Sequence, residues 1–527
     1  MDRVGNCISA AQMKAAMPTQ TTSRLVGTIE RPELCPVPAR ADDSGAVVSS
    51  SGMRRNGTVT TVLLACCACA VAIRCWQAVD RARIPFQIDY AEGTILAVAM
   101  NMLHGNPIYP APGPFPIVLS PYGPVVYLLV ALLLKAFGVS LLWPRLVVLC
   151  AALGSSALIF GMTRAFGGRA STGAVFGAAF FCSPIVWIWL PLVRIDFFAI
   201  TLALSGLCVF GRRGHRLALA AGLFVAAVLT KQSAIAAPMA CCVELLLERR
   251  WRDGLRFVAC LAGLGVLALL LLGPDAEFHL VLLGYHDLFS ASRFAQAFAA
   301  VITGSFMLVL AAIYGTTIAG RTLKDVRLVW LYLGVSTLTA LTAGKTGAET
   351  NHFLEWLAAL SCAGAVSFSV PPLALDRGAR LVVMGVVAFA LSGAIGVQWI
   401  PRHDLDLRGC QAAYDFVAHS PGQHILSEDV MAVVLAGRPV AVSDPFAYVL
   451  TKYPGWEGGG LEGRVKDGYF DLIVVGAHSL REHRAQPRWS PGLAQMIGTH
   501  YRLAQTFQCS PALGVAYVRA GDPPRAE

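Results

Sequence analysis

The chain has 527 residues, of which 56% are hydrophobic and only 14% are charged. Soluble globular proteins carry about 25% charged residues, so this composition excludes a chain of ordinary soluble domains. The net charge is +10, but the Lys and Arg residues lie in short loops between apolar runs. This is the positive-inside pattern of membrane proteins and does not indicate nucleic-acid binding. Repeated apolar runs of about 16–24 residues predict a polytopic α-helical protein that spans a lipid bilayer.

Changes in hydropathy along the chain predict three regions. Residues 1–55 are polar and lack periodicity, which predicts a disordered cytoplasmic tail. Residues 56–400 contain about eleven predicted spans, and residues 80–121 form the first extracytoplasmic loop between two of them. Residues 401–527 predict a small α/β domain, which an odd number of spans places outside the cytoplasm.

The apolar segment 125–137 decides the predicted topology. All Arg-rich loops fall on one side of the membrane only if this segment does not cross it. We therefore predict an interfacial or re-entrant helix at 125–137, with the second span at about 142–160. A full crossing by 125–137 is the alternative, and it would reverse every later loop.

With this topology, charged side chains from five separate loops fall near one face of the membrane, although such residues are costly near lipid. They are Asp89, Glu92, Arg194, Asp196, Lys231, Asp275, Glu277, His286, Asp287, Lys345, Glu349, His352 and Glu355. A cluster of this kind predicts a water-accessible site on that face.

Asp89 and Glu92 are three residues apart, so they share one face if a helix begins there. Asp89 is also a suitable N-cap for that helix. Two interpretations stay open. The pair is either a helix cap with a solvated acid, or a general base with a second carboxylate that binds substrate or a divalent cation.

Three further segments are candidates for the same site. Arg194 and Asp196 are either a local ion pair that caps a helix or part of the site. Lys231 lies at a tight turn opposite the Arg-rich loops, which favours a phosphate ligand over a side chain that reaches for lipid headgroups. The stretch 344–356 holds more polar side chains than an interfacial loop needs.

In the C-terminal region, strands are predicted at 424–427, 439–442, 472–475 and 515–518. Helices are predicted near 410–418 and 491–497. Cys410 and Cys509 bracket the region and can pair if it is extracytoplasmic.

The ordered set of motifs resembles the GT-C superfamily of membrane glycosyltransferases. Within it, the chain is most similar to protein O-mannosyltransferases, the lipid A aminoarabinose transferase and rhizobial core galacturonosyltransferases. The resemblance covers roughly residues 58–370. The motifs that carry it are Asp89 with Glu92, the stretch 104–109, Pro-Tyr-Gly-Pro at 121–124, Arg194-x-Asp196, Thr-Lys-Gln-Ser at 230–233 and Asn-His-Phe at 351–353.

The resemblance implies a sugar donor linked to a polyprenyl phosphate and a glycan, lipid or protein acceptor at the extracytoplasmic face of a bacterial inner membrane. It implies Asp89 as the base, with Glu92 and Asp196 as further catalytic carboxylates. Related proteins often have adjacent Asp and Glu residues, whereas here two residues intervene. Which of the two carboxylates is the base therefore stays open, and so does a divalent cation held by Asp89 and Glu92.

By the same analogy, a second group of residues binds the donor phosphate: Lys231, Arg194, His352 and Lys345, the last by inference and not by a motif match. A third group positions the acceptor or the sugar: Tyr109, Tyr122, Glu349 and Asn351.

Two other classes of function are open. A transporter or flippase for a lipid-linked glycan would place its charged groups near the bilayer midplane, whereas here they cluster at one face. A catalytically inactive protein of the same shape would serve as an assembly partner.

Overall fold

The computed structural model describes residues 50–113, 115–211, 216–282, 289–318, 326–345, 347–368, 377–396, 407–445, 460–476, 489, 491–509 and 512–519. The predicted disordered tail therefore lies mostly outside the described residues, and so do His286 and Asp287 of the predicted charged cluster. The first helix begins at Ser50, within the predicted tail.

Up to residue 396, the described chain folds mainly into α-helices. In chain order they are α1 (Ser50–Ala82), α2 (Tyr90–Leu103), α3 (Pro124–Phe137), α4 (Leu142–Ala165), α5 (Ala170–Cys182), α6 (Pro184–Trp189), α7 (Asp196–Gly211), α8 (Leu217–Val228), α9 (Ala236–Leu247), α10 (Trp251–Leu272), α11 (Ala291–Ile318), α12 (Arg327–Ala340), α13 (Leu354–Phe368) and α14 (Arg377–Gly396). A π-helix (Phe278–Leu282) and two short 3₁₀ helices (Leu341–Gly344 and Thr350–Phe353) interrupt the connections.

Among the described residues, five helices are long and apolar enough to cross a membrane: α1, α4, α10, α11 and α14. Helix α4 begins at Leu142, where the second span was predicted. Helices α3, α5, α7, α8 and α9 are apolar but shorter. The protein is a helical membrane protein, while the total of about eleven spans, and the interfacial placement of α3, stay predictions.

Gly123 brings the start of α3 against the turn that follows α8. A Cβ atom at this position would lie 1.8 Å from the carbonyl oxygen of Leu229, so only glycine permits the approach. Pro124 then opens α3, where its missing N–H costs nothing. The approach places Lys231, two residues after Leu229, beside the loop that enters α3.

Arg81, near the end of α1, holds the turn after α6. Its Nη1 atom donates to the carbonyl oxygens of Trp187 at 2.9 Å and Leu190 at 2.7 Å. The last carbonyls of a helix lack partners within it, so a buried guanidinium stabilises this end of α6. The chain that continues from this turn carries Arg194.

The C-terminal segment, residues 407–519 where described, contains a four-stranded sheet. Its strands are β1 (Ile425–Ser427), β2 (Leu472–Gly476), β3 (Tyr501–Cys509) and β4 (Ala512–Arg519), in the spatial order β1-β2-β4-β3. Only the β1–β2 pair is parallel. Its helices are α15 (Leu407–Ala418), α16 (Val430–Leu435), α17 (Leu461–Lys466) and α18 (Pro491–His500).

The predicted strand at 439–442 is wrong. This stretch forms only isolated bridges, Ile425 with Val440 and Ile117 with Val442, because its partner Ile117 belongs to the first loop and offers no regular strand. Strand β3 was not predicted. Most of its middle residues are exposed, so it lacks the alternation of apolar and polar residues that marks a half-buried strand.

The C-terminal segment packs directly on the membrane part of the chain. One apolar cluster combines Ile95 of α2 and Val126 of α3 with Tyr414 of α15 and Met431 of α16. A disulfide joins Cys410 of α15 to Cys509 of β3. The segment is therefore attached to the helix that begins at Asp89.

Asp429 makes the C-terminal segment sensitive to pH. It caps α16, and burial raises the pKa of its carboxyl to about 7. Between about pH 4, where the unfolded chain loses this proton, and about pH 7, the folded chain keeps it. We therefore expect the free energy of unfolding to fall with rising pH across this interval, by at most about 1.4 kcal/mol per pH unit, and to change no further above it.

The check is thermal unfolding of wild type and Asp429→Asn at pH 4 to 8. Asparagine is an equally good N-cap and does not titrate, so the free energy of unfolding of Asp429→Asn should depend less on pH than that of wild type. Asp415→Asn is the matched control, because Asp415 is exposed on α15. Equal pH slopes in Asp429→Asn and wild type would contradict the prediction.

Candidate active site

Asp89 is the N-cap of α2. Its Oδ1 atom accepts a hydrogen bond from the Ala91 amide at 3.1 Å. In the reciprocal hydrogen bond, the Glu92 side chain accepts from the Asp89 amide, and the two bonds together form a capping box. The Asp-x-x-Glu spacing therefore fixes the start of α2 and the direction of the Asp89 carboxylate, whose side chain keeps 18% of its surface exposed.

Glu92 is fully buried and forms a two-pronged ion pair with Arg145 of α4. Arg145 Nε donates to Oε1 at 2.8 Å, and Nη2 donates to Oε2 at 2.7 Å. The amides of Val193 and Ile88 donate to the same carboxylate at 2.9 and 2.8 Å. Burial alone would raise the pKa of Glu92, but the Arg145 charge and these hydrogen bonds outweigh it and keep the pKa below its usual value.

The catalytic and metal-binding roles predicted for Glu92 stay predictions, and the contacts of its carboxylate weigh against both. Both of its oxygens are engaged by Arg145 and backbone amides, and its side chain has no access to solvent. The predicted cation at Asp89 and Glu92 would have to compete with the guanidinium for the same oxygens. Within the described ranges, no group of three or more His, Cys, Asp or Glu side chains is placed to hold a metal ion.

Arg194 connects Asp89 to the next carboxylate. Its Nη1 atom donates to Asp89 Oδ1 at 2.8 Å, and its Nε atom lies 3.8 Å from Asp196 Oδ2. The guanidinium stacks over Trp189, 4.9 Å from the ring centroid. The Arg and Asp that were predicted from a local motif thus belong to one chain of charges with Asp89.

Asp196, at the start of α7, is buried and continues that chain to Lys231. Its Oδ1 atom accepts from Lys231 Nζ at 2.6 Å and from the Asn351 amide group at 3.2 Å. The structure therefore brings together Asp89, Arg194, Asp196, Lys231 and Asn351, which come from four distant parts of the sequence. We refer to Asp89, Arg194, Asp196 and Lys231 as the charge chain.

Two atoms of the charge chain are buried without a hydrogen-bond partner among the described residues: Arg194 Nε and Asp196 Oδ2. They lie 3.8 Å apart, too far for a hydrogen bond. Buried polar atoms are normally satisfied, and those that are not often mark a functional site. Arg194 Nε is a charged donor without a hydrogen-bond acceptor among the described residues.

A small cavity opens beside Lys231. Asp196, Lys231, Ser233, Thr339, His352 and Glu355 contribute to its lining. His352 Nδ1 lies 2.8 Å from the Thr342 hydroxyl. Burial lowers the pKa of His352 to about 3, and the charge of Lys231 adds to the effect. His352 is therefore neutral at physiological pH. Because the Thr342 hydroxyl donates its proton to the Thr339 carbonyl oxygen at 2.6 Å, His352 Nδ1 donates to Thr342 and its Nε2 atom is a hydrogen-bond acceptor.

Lys345 and Glu349 lie on the loop between the two 3₁₀ helices. Lys345 is half-buried and forms a backbone bridge with Phe289. Its charge acts on His352, so it lies near the cavity. Glu349 is exposed, and its backbone carbonyl accepts from the His352 amide at 3.2 Å.

Tyr109 and Tyr122 shape the entry to α3. The buried Tyr109 donates its hydroxyl proton to the Tyr122 carbonyl oxygen at 2.8 Å. Burial raises the pKa of Tyr122, the Arg194 charge opposes this, and the charges of Asp444 and Asp89 add to it. Tyr122 therefore lies within electrostatic range of the charge chain, and Tyr109 holds the Tyr122 backbone.

The fold is similar to that of solved membrane glycosyltransferases. The crystal structure of ArnT from Cupriavidus metallidurans bound to undecaprenyl phosphate matches with a TM-score of 0.59 at 11% sequence identity, covering 91% of this chain and 100% of that one. The apo structure of ArnT from the same organism matches with a TM-score of 0.60 at 12% identity, covering 89% and 100%. This chain has the GT-C fold.

A more distant similarity links the chain to archaeal oligosaccharyltransferase AglB from Archaeoglobus fulgidus, in complex with an inhibitory peptide and a dolichol-phosphate. The TM-score is 0.49 at 14% identity, over 90% of this chain and 75% of that one. No protein-family model and no curated protein sequence matches the chain.

Three residues near the site were not given a role in it from the sequence. Arg145 lies inside a predicted span, where an arginine near the end of a helix is usually explained by its reach toward the headgroups. Glu355 was noticed as a charged loop residue, but its place beside Lys231 depends on packing of α13. Asp444 belongs to the C-terminal segment, and no motif connects it to the first loop.

Proposed function

We propose that this chain is a glycosyltransferase that moves a sugar from a polyprenyl-phosphate donor to an acceptor hydroxyl of a glycan, a lipid or a protein. The observation that carries the proposal is the charge chain, in which the partly exposed Asp89 carboxylate contacts Arg194, and Asp196 connects Arg194 to Lys231. A base next to cations is the arrangement that this transfer needs. The GT-C fold supports the proposal, since ArnT was crystallised with undecaprenyl phosphate.

In the proposed reaction, the acceptor hydroxyl gives its proton to a carboxylate oxygen of Asp89. The acceptor oxygen forms a bond to the anomeric carbon while the bond between that carbon and the phosphate oxygen breaks. The electron pair of the broken bond leaves with the phosphate. The configuration at the anomeric carbon is inverted, because the nucleophile and the leaving group occupy opposite sides of it. The products are the glycosylated acceptor and polyprenyl phosphate, with one proton released through Asp89.

The departing phosphate gains negative charge, and we assign its stabilisation to Arg194 and Lys231. The Nε donor of Arg194 is buried and free of hydrogen bonds to the described residues. Lys231 Nζ is held by Asp196 at 2.6 Å at the edge of the cavity. Asp196, which accepts a hydrogen bond from Asn351, keeps the ammonium in place, and neutral His352 can accept a hydrogen bond from a sugar hydroxyl through its Nε2 atom.

We place the site on the extracytoplasmic face of a bacterial inner membrane. The disulfide between Cys410 and Cys509 supports this orientation, because structural disulfides persist in oxidising compartments. The C-terminal segment that carries it packs on the same helix, α2, that begins at Asp89. The disulfide and the site therefore belong on one side of the membrane.

The proposal is tested by transfer of label from a panel of radiolabelled polyprenyl-phosphate sugars into membrane lipids, polysaccharide and protein. We expect wild type to transfer from at least one donor. Lys231→Ala should lower that transfer by about 10²–10³-fold, as expected for loss of one electrostatic contact to a developing negative charge. Lys231→Arg should retain part of the activity, because it keeps the positive charge next to Asp196.

Lys135→Ala is the control for the lysine substitution, since Lys135 is exposed on α3. Protein amounts in the membrane are compared for every variant. Transfer by Lys231→Ala at the wild-type rate would remove Lys231 from the site. Movement of intact lipid-linked glycan across the vesicle membrane without sugar transfer would favour the transporter alternative.

A further inference from the structure

The backbone that leads into Asp89 is held from three directions. Arg145 Nη2 donates to the Phe86 carbonyl oxygen at 2.8 Å, and Glu92 Oε2 accepts from the Ile88 amide at 2.8 Å. The third contact comes from the C-terminal segment, where the Tyr414 hydroxyl accepts from the Gln87 amide at 3.2 Å. Two of the three contacts thus come from the membrane part of the chain, and the third comes from Tyr414 of the C-terminal segment.

The Tyr414 hydroxyl is itself oriented by Asp429. It lies 3.1 Å from Oδ1 and 3.2 Å from Oδ2, so its single proton is donated to that carboxylate. Its oxygen is then free to accept from the Gln87 amide. The Phe86 ring packs edge-on against the Tyr414 ring, with the centroids 4.8 Å apart. Both the ring and the hydroxyl of Tyr414 therefore contact the segment that carries Asp89.

Tight packing fixes the position from which Tyr414 acts. A Cβ atom at Gly93 would lie 2.8 Å from the Met431 amide nitrogen, so α16 crosses α2 within about one turn of Asp89. Cys410 lies four residues before Tyr414, on the same face of α15, and its disulfide anchors that face to β3. The hydroxyl is held against Gln87 by a rigid support.

From this geometry, we propose that Tyr414 is a positioning residue for Asp89: its hydroxyl holds the Gln87 amide and thereby fixes where the Asp89 carboxylate points. The inference rests on the proposed function, since Asp89 is its base. The C-terminal segment then contributes to catalysis by aligning Asp89, because the contact at Gln87 fixes the backbone two residues before Asp89. A small displacement of a catalytic group lowers turnover steeply, while substrate binding is unaffected.

The test compares Tyr414→Phe with Tyr501→Phe in the full-length protein. Tyr501 is a close match, because its hydroxyl accepts from the Phe470 amide at 3.2 Å, and its side chain is buried like that of Tyr414. Tyr501 makes this contact inside the C-terminal segment, with Phe470 and not with residues 86–92. Both substitutions remove one buried hydroxyl and leave one backbone amide without its partner. Tyr414→Phe also removes the hydrogen bond to Asp429, so it should lower stability more than Tyr501→Phe does.

The first measurement is amide hydrogen exchange of the peptide that covers residues 86–92, with the protein in lipid nanodiscs. We expect exchange to be at least about tenfold faster in Tyr414→Phe than in wild type, and unchanged in Tyr501→Phe. The second measurement is sugar transfer with the donor that wild type uses. Tyr414→Phe should lower kcat by about ten- to a hundredfold and leave the donor KM unchanged.

Unchanged exchange in Tyr414→Phe would overturn the inference. Faster exchange with wild-type kcat would also overturn it, because the contact would then be structural only. Asp89→Asn is measured in parallel and separates the two proposals. If Asp89→Asn transfers sugar as well as wild type, the base assignment is wrong, whereas the exchange result still shows whether Tyr414 holds the Gln87 segment.

Discussion

Asp89→Asn is expected to lower sugar transfer by about 10²–10⁴-fold, the contribution of a positioned general base. Asparagine is as good an N-cap as aspartate, so the start of α2 and its hydrogen bond from the Ala91 amide should survive. The substitution removes only the negative charge and the basic oxygen. Donor KM should change little, because the contacts assigned to the phosphate come from Arg194 and Lys231.

The measurement is initial rate of transfer in membranes, normalised to the amount of protein. Asp253→Asn is a suitable control, because Asp253 also pairs with an arginine, Arg250, at 3.0 Å but lies on α10, outside the charge chain. Control activity should equal that of wild type. A rate for Asp89→Asn within about threefold of wild type would exclude Asp89 as a base of the usual efficiency.

The sequence predicted local features of this site well, because they depend on near neighbours. The Asp-x-x-Glu spacing predicts both a cap and a shared face, and the structure forms the capping box at that position. Hydropathy placed the start of the second span at Leu142, where α4 begins. In each case the signal lies within a few residues of the feature that it predicts.

The sequence left the roles of the two carboxylates open because their partners are distant in the chain. Arg145 is separated from Glu92 by 53 positions, and Lys231 from Asp196 by 35. No pattern of spacing links such pairs, since they meet only when α4 packs on α2 and the turn after α8 meets the start of α7. The difference between the partly exposed Asp89 and the buried Glu92 is therefore a property of the packing.

The C-terminal segment shows a related limit. Three of its four predicted strands coincide with β1, β2 and β4, whose inward side chains are apolar. The contact between Tyr414 and Gln87 joins residues 327 positions apart. Composition marks the segment as a separate region after residue 400, yet it shares one apolar cluster with α2 and α3. A change in hydropathy locates the end of the membrane part, but it does not show that the C-terminal segment packs against α2 and α3.

Arg145→Met is expected to destabilise the protein by about 3–5 kcal/mol, the cost of breaking a buried ion pair by removing one partner. Glu92 would remain as a fully buried carboxylate without a cation. The carbonyl oxygens of Ile84 and Phe86 would each lose a charged donor as well. Because these groups hold the backbone that leads to Asp89, transfer should fall even in the fraction that folds.

Arg327→Met is the control that separates the effect of burial from the loss of an ion pair. Thermal unfolding of Arg327→Met and Arg145→Met is measured side by side in detergent. Arg327 also forms a two-pronged pair, with Glu244 at 2.8 Å for both contacts, but 23% of its side chain is exposed. Water screens such a pair, so its loss should cost about 1 kcal/mol or less. Adding Glu92→Gln to Arg145→Met should recover part of the lost stability, because it removes the unpaired charge. If Arg145→Met unfolds at the same temperature as Arg327→Met, the Glu92–Arg145 pair does not hold the base segment in place.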